Sequence, residues 1–294
     1  MKRDFGRVMT AMITPFTESG EVAYDKVTEL ARHLVKTGSD SILVSGTTGE
    51  SPVLTRDEKE RLFLAVLEAV DGQAAVVAGT GSYNTAESIA MTKMAEKTGV
   101  DGILLVTPYY NKPSQEGLYQ HYRAIAGTTS LPVILYNVPG RTSVNLLPAT
   151  VSRLSAIENI VAVKEASGSM DQVAEIRRST PEEFLIYSGD DSLTLPILAL
   201  GGHGVISVAS NVSGLLIKEM IYSFFSGRVD RARELHLKLF PLFKVMFITT
   251  NPVPVKAAVN MIGIEAGIPR LPLVSATPQE EDAVRKVLTE LDLL

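Results

Sequence analysis

Eight short apolar runs, set off by turn-rich segments and mostly separated by longer amphipathic ones, recur between residues 7 and 211. They read RVMTAMITPF, SDSILVSGTTGE, AAVVAGTGS, DGILLVTPYYN, PVILYNVPGR, IVAVKEASG, FLIYSGDD and GVISVASN. The runs are rich in Val and Ile and lack the apolar–polar alternation of a half-exposed strand. Each is therefore expected to be a parallel strand covered on both faces. Parallel neighbours need a crossover, usually a helix, so eight such units predict a (β/α)8 barrel. A doubly wound open sheet is the competing architecture, but its G-x-G-x-x-G fingerprint is missing after the first strand.

The intervening segments carry helix punctuation. Thr55 is a plausible N-cap with Glu58 three residues on, and that helix is expected to stop at Gly72. Asn84 and Gly99 bracket the next helix, with Ile89, Ala90 and Met94 assigned to its buried face. Beyond the eighth run, Val229, Ala232, Leu235 and Leu239 fall at helical spacing, and TPQEEDAVRKVLTELDLL reads as a terminal helix. The expected organisation is a barrel over residues 1–210, its last helix running to about 226, and a C-terminal helical extension over 227–294. No low-complexity linker divides the two.

Composition removes several functional classes. The chain of 294 residues has no cysteine, so disulfides, zinc–thiolate sites and a cysteine nucleophile are excluded. Its formal charge of −5, from 28 basic and 33 acidic residues without a basic stripe, argues against a nucleic-acid surface. The four histidines show no metal-ligand spacing, and no G-x-x-x-x-G-K-[ST] phosphate loop is present, so neither a metal nor a cofactor is expected. The start, MKRDFGRVMTAMITPF, is interrupted by Pro15 and lacks the features of a secretory peptide. No window approaches the roughly 20 apolar residues of a membrane span. The expected location is the cytoplasm.

Barrel enzymes build their sites at the carboxyl ends of the strands. Here those ends are TPF, GTTGES, GTGS, TPYYN, YNVPGR, KEASG, SGDD and SVASN, rich in hydroxyl and amide groups and sparing in charge. A small polar organic substrate suits such a rim. The exception is Lys164, which stands in the apolar run NIVAVKEAS. Strand alternation places Val161 and Val163 toward the helices and Ala162 and Lys164 toward the barrel axis. A lysine there is seldom fully buried unless paired or used. Desolvation lowers its pKa, and a neutral amine attacks ketones and aldehydes. The alternative is a structural ion pair with Glu165 or Asp190, of which Glu165 faces the wrong side. Tyr136, ending the neighbouring run, and Thr47 would supply a proton relay. Arg141 in VPGRT would grip a carboxylate through two hydrogen bonds.

The strings GTTGES (46–51), TPYYNKPSQEGLYQHY (107–122), YNVPGRT (136–142), VAVKEASG (161–168), SGDD (188–191), GGHGVISV (201–208) and NPVPVKAA (251–258) resemble the dihydrodipicolinate synthase family over essentially the whole chain. The resemblance implies a lysine-dependent condensation of pyruvate with aspartate 4-semialdehyde on the route to diaminopimelate and lysine. It implies no cofactor, since pyruvate is bound covalently. Lys164 matches the Schiff-base lysine. Tyr136 matches the tyrosine that relays protons through Thr47 to Tyr110, the last reaching into a neighbouring subunit's site. Arg141 matches the arginine for the semialdehyde carboxylate, and Thr47 and Thr48 match the pyruvate carboxylate site. Gly189 and Ile206 fall where the family lines that pocket. A homo-oligomer follows, expected to be a tetramer made as a dimer of dimers.

At the family's lysine-effector site, Glu87, Tyr109 and Ser51 remain as a remnant. Arg56, Lys59 and Tyr83 stand where lysine-inhibited members carry histidines and an asparagine. Two added cations disfavour a cationic effector, so weak or absent inhibition by lysine is expected. Sister aldolases acting on N-acetylneuraminate or 2-keto-3-deoxy sugar acids would share Lys164 and Tyr136. The second threonine of GTTGE, the PYYN tyrosine and Arg141 favour the synthase. A non-catalytic ligand-binding barrel is the remaining alternative.

Overall fold

The computed structural model describes residues 4–294. The basic pair Lys2 and Arg3, part of the reading of the amino terminus, lies outside the described residues. All eight apolar runs form strands: β1 (Val8–Ala11), β2 (Ser41–Val44), β3 (Ala75–Gly79), β4 (Gly102–Val106), β5 (Val133–Asn137), β6 (Ile160–Glu165), β7 (Leu185–Ser188) and β8 (Gly204–Ser207). They are parallel, lie in sequence order and close into a barrel through β1 and β8. Helices cover the outside, apart from the single turn α5 at the rim: α1 (Tyr24–Lys36), α2 (Arg56–Val70), α3 (Thr85–Thr98), α4 (Gln115–Ala126), α5 (Pro139–Thr142), α6 (Pro148–Ser155), α7 (Met170–Ser179), α8 (Thr194–Ala199) and α9 (Ser210–Phe225). Three more follow: α10 (Val229–Val245), α11 (Val253–Met261) and α12 (Pro278–Glu290). The (β/α)8 barrel with a C-terminal helical part is therefore observed. No helix among the described residues is long and apolar enough to cross a membrane.

Local chemistry accounts for the helix ends. Thr55 and Glu58 form a reciprocal capping box at α2, and Thr277 and Glu280 repeat it at α12. Asn84 caps α3 by accepting from the Ala86 and Glu87 amides, and Gly99 closes it in the left-handed region. Two details differ from the sequence reading. The α2 cap is Asp71, one residue before Gly72. On α3 Met94 is buried as expected, together with Ser88, Met91, Thr92 and Ala95, whereas Ala90 is exposed and Ile89 half-buried. The polar members are accommodated because Ser88 accepts from the Ser82 amide (2.9 Å) and Thr92 bonds Thr80 (3.0 Å). At α10, Val229 is likewise exposed, while Ala232, Leu235 and Leu239 are buried as expected.

Two apolar layers result. One lies between strands and helices and takes outward-facing residues such as Val44, Val76, Leu105, Leu135 and Val163. The other fills the barrel with Met9, Leu43, Val77, Leu104, Ile134, Tyr187 and Ile206. Burying each large apolar side chain is worth about 1.5–3 kcal/mol. Phe5, ahead of β1, belongs to the interior set and stoppers the amino-terminal end. Gly102 makes room for it, since a Cβ there would lie 2.6 Å from the Phe5 ring. The open end is the carboxyl rim.

Candidate active site

Lys164 projects from β6 into this interior and is only 4 % exposed. Its strand neighbours are Tyr136 on β5 and Tyr187 on β7. The expected alternation holds for Ala162, Val163 and Lys164 but not for Val161, which joins the interior cluster rather than the helix layer. The cause is a register shift between β5 and β6: Val133 pairs with Ile160 but Ile134 pairs with Ala162, leaving Val161 as an inserted residue.

The lysine stem fits because Gly189 has no side chain. A Cβ at that position would lie 3.1 Å from Lys164 Cγ and 2.8 Å from Ala166 Cβ. Nζ stands 4.3 Å from the centre of the Tyr136 ring. Burial pushes its pKa from 10.5 down to about 7; the Asp191 carboxylate opposes the shift and the Arg141 charge adds to it. The structural ion pairs considered from sequence are not formed. Glu165 points out of the barrel and accepts from Asn137 (3.1 Å), Gln172 (3.2 Å) and the Ser167 amide (2.6 Å). Asp190 is occupied by Ser192, at 2.8 Å from both its amide and its hydroxyl.

Asp191 is the acidic neighbour that sequence reasoning missed. Fully enclosed, its carboxylate accepts from the Ser207 hydroxyl and from the Val208 and Ala209 amides, both at 3.0 Å, just ahead of α9. Burial raises its pKa, and these hydrogen bonds pull it back. The doubled aspartate in SGDD was the available signal, but sequence alone does not say which of the two turns inward.

A cavity of about 480 Å³ opens over the rim, and Thr47, Tyr136 and Arg141 all line it. Lys164 is not in its lining; Tyr136, whose ring centre is 4.3 Å from Nζ, is. Burial raises the Tyr136 phenol pKa, while the Arg141 charge and hydrogen bonding with Thr47 act the other way. The Thr47 and Thr48 amides donate to no protein acceptor among the described residues, leaving adjacent N–H groups of the kind that cradle an anion. Thr48 itself is buried and accepts from Asn251 Nδ2 at 3.0 Å. Arg141, on the short helix α5, donates to the Asn251 carbonyl at 3.4 Å. Ile206 lies in the barrel interior on β8.

Tyr110 is not brought to the site. It is 91 % exposed, with φ of +67°, a left-handed conformation uncommon for an aromatic residue. Tyr109 turns back, packing edge-on against Tyr83 with ring centres 5.1 Å apart. Ser51, Glu87, Tyr109, Lys59 and Tyr83 line the outer part of the same cavity, and Arg56 does not. Glu87 accepts from the Ser82 hydroxyl at 2.6 Å. The Lys59 ammonium pKa is lowered by burial, with Glu87 opposing.

A buried amine of near-neutral pKa, a phenol against it and a cavity edged by an arginine together suit imine chemistry on a keto acid. The chain matches the model of the dihydrodipicolinate synthetase family over residues 4–291. It belongs to that family. Within it, the chain is 60% identical over 294 residues to the 4-hydroxy-tetrahydrodipicolinate synthase of Desulforudis audaxviator, covering 100% of both chains. A crystal structure of a dihydrodipicolinate synthase from Bacillus anthracis superposes with a TM-score of 0.96 at 48% identity, covering 98% of this chain and 99% of the other. That of the Cyanidioschyzon merolae synthase with lysine bound gives 0.97 at 48% identity, covering 99% of each.

Proposed function

We propose that the protein condenses pyruvate with L-aspartate 4-semialdehyde to 4-hydroxy-tetrahydrodipicolinate, a step of diaminopimelate and lysine biosynthesis, through a Schiff base on Lys164. The observation that carries this reading is the Lys164 amine itself: enclosed, without a carboxylate ion pair among the described residues, and 4.3 Å from the Tyr136 ring centre. The Nζ lone pair attacks the keto carbon of pyruvate, and the oxygen gains a proton through Tyr136 and Thr47. Loss of water leaves an iminium. That iminium draws electrons from the methyl group, which gives up a proton to form an enamine. The enamine carbon attacks the aldehyde. The amino group of the new chain then displaces Lys164 at the imine carbon, closing the ring and freeing the enzyme.

The Thr47 and Thr48 amides and the Thr48 hydroxyl hold the pyruvate carboxylate, and Arg141 holds that of the semialdehyde. Gly189 and Ile206 shape the pocket. No cofactor takes part, because the iminium formed on Lys164 acts as the electron sink. Tyr110 extends the relay from a neighbouring subunit, in a tetramer built as a dimer of dimers. The barrel spans residues 1–210 with its last helix to about 226, followed by the extension over 227–294. The enzyme works in the cytoplasm.

The test is reduction with borohydride in the presence of pyruvate. One pyruvate-derived adduct per chain is expected on Lys164, absent in Lys164→Ala. An unchanged mass, or an adduct mapped to Lys112 or Lys256, overturns the reading. Offering N-acetylmannosamine or a sugar aldehyde beside the semialdehyde separates the sister aldolases. Lysine is expected to inhibit weakly or not at all, because Lys59 already places a cation beside Glu87 in the outer cavity. An inhibition curve bending at sub-millimolar lysine would contradict this.

A further inference from the structure

The connection between α10 and α11 passes over the catalytic rim and brings Asn251 there. We propose that Asn251 is a positioning residue that turns the single hydroxyl proton of Thr48 toward the substrate carboxylate. The inference rests on the reading of Thr48 given under the proposed function.

Asn251 is 4 % exposed and Thr48 3 %. The contact between them, Asn251 Nδ2 to Thr48 Oγ1 at 3.0 Å, is buried and joins residues 203 apart. An amide nitrogen can only donate, so the Thr48 oxygen accepts in this pair. A hydroxyl has one proton, and among the described residues no protein acceptor takes it from Thr48. That proton remains for a ligand, next to the unused amides of Thr47 and Thr48. Among the described residues Asn251 Oδ1 is buried without a donor, and the side chain's hydrogen bond is the one to Thr48. Its backbone carbonyl meanwhile receives Arg141. One residue from outside the barrel thus touches both groups assigned to substrate carboxylates.

A second tether lets the idea be tested without dismantling the loop. Glu50, at the other end of the GTTGES segment, is held by Lys256 Nζ at 2.6 Å and by the Arg270 amide at 2.9 Å. Residues 46–51 therefore stay fixed to the extension when Asn251 is changed.

The experiment compares N251D, N251A, T48V and the double variant T48V/N251D in the full chain. It reads thermal stability and the pyruvate dependence of both turnover and borohydride trapping. An aspartate at 251 can only accept, so it captures the Thr48 proton and adds a negative charge beside an anion. N251D is expected to raise KM for pyruvate by about tenfold or more, and N251A by about threefold. The maximal trapping rate should change less than KM. With Thr48 already valine, N251D should add less than about twofold, the non-additivity of two residues acting through one contact. If T48V raises KM while N251D and N251A leave it at the wild-type value, the inference falls and the Thr48 reading stands. Equal effects of N251D with and without Thr48 overturn it as well. Should T48V itself leave KM unchanged, the carboxylate assignment fails and takes the inference with it.

Discussion

At the scale of single residues, Lys164 makes stability and reactivity run together with pH. Its amine titrates near 7 in the folded chain and at 10.5 in the unfolded one. Below pH 7 both states are protonated, and the native state bears the full cost of an enclosed ammonium, on the order of 5 kcal/mol. Between pH 7 and 10.5 the unfolded chain keeps a proton that the native one has lost, so stability is regained as pH rises. Lys164→Met is therefore expected to raise the melting temperature more at pH 6 than at pH 10. Trapping of pyruvate by the native enzyme should rise about tenfold per pH unit below 7 and level off above it. A trapping rate still climbing tenfold per unit at pH 10 would contradict the enclosed-amine account. The inward aim of Lys164 was legible because strand alternation is local. Val161 was not, because an inserted residue in β6 depends on how β5 is aligned beside it. The choice between Asp190 and Asp191 was hidden too, since each was settled by a bend after β7.

Among the elements, the N-caps of α2 and α3 were readable because each is made by residues two or three apart. The buried face of α3 was read correctly only at Met94, because Ser88 and Thr92 look solvent-seeking until their partners in the β3–α3 turn are known. Least legible was the grip of the extension on the β2 rim. Lys256 on α11 pairs with Glu50 across 206 residues, both side chains almost fully enclosed, and lies 4.1 Å from the Phe16 ring centre. Burial pushes this second lysine down to about 8, with Glu50 opposing. Its ion pair distinguishes it from Lys164. Lys256→Met strands the Glu50 charge and should destabilise the chain by about 3–5 kcal/mol, measurable by urea unfolding. Activity at a permissive temperature should fall as well, through the loosened 46–51 loop. A variant as stable as the parent would mean that Glu50 finds compensation elsewhere.

For the molecule as a whole, the barrel was plain in the sequence because eight covered strands leave eight similar apolar runs. The role of Tyr110 cannot be read from one chain: its ring projects from a loop held in an unusual backbone conformation and meets none of the site residues. If it completes the site of a neighbour, two defective chains should complement each other. Mixing and reassembling Lys164→Ala with Tyr110→Phe would place an intact lysine and an intact tyrosine in one site of each hybrid pair. Activity is expected to rise several-fold above either parent, as read in the steady-state assay after co-refolding or co-expression. Activity no greater than the average of the parents would confine Tyr110 to its own subunit.

The Phe5 stopper bears on the order of events. A vessel sealed at its base is loaded and emptied through one mouth, so whatever reacts deepest has to arrive before anything resting above it. With Lys164 as the proposed nucleophile, pyruvate is then expected to come first, the aldehyde to settle on top, and the cyclised product to depart by the same way before the next keto acid can descend.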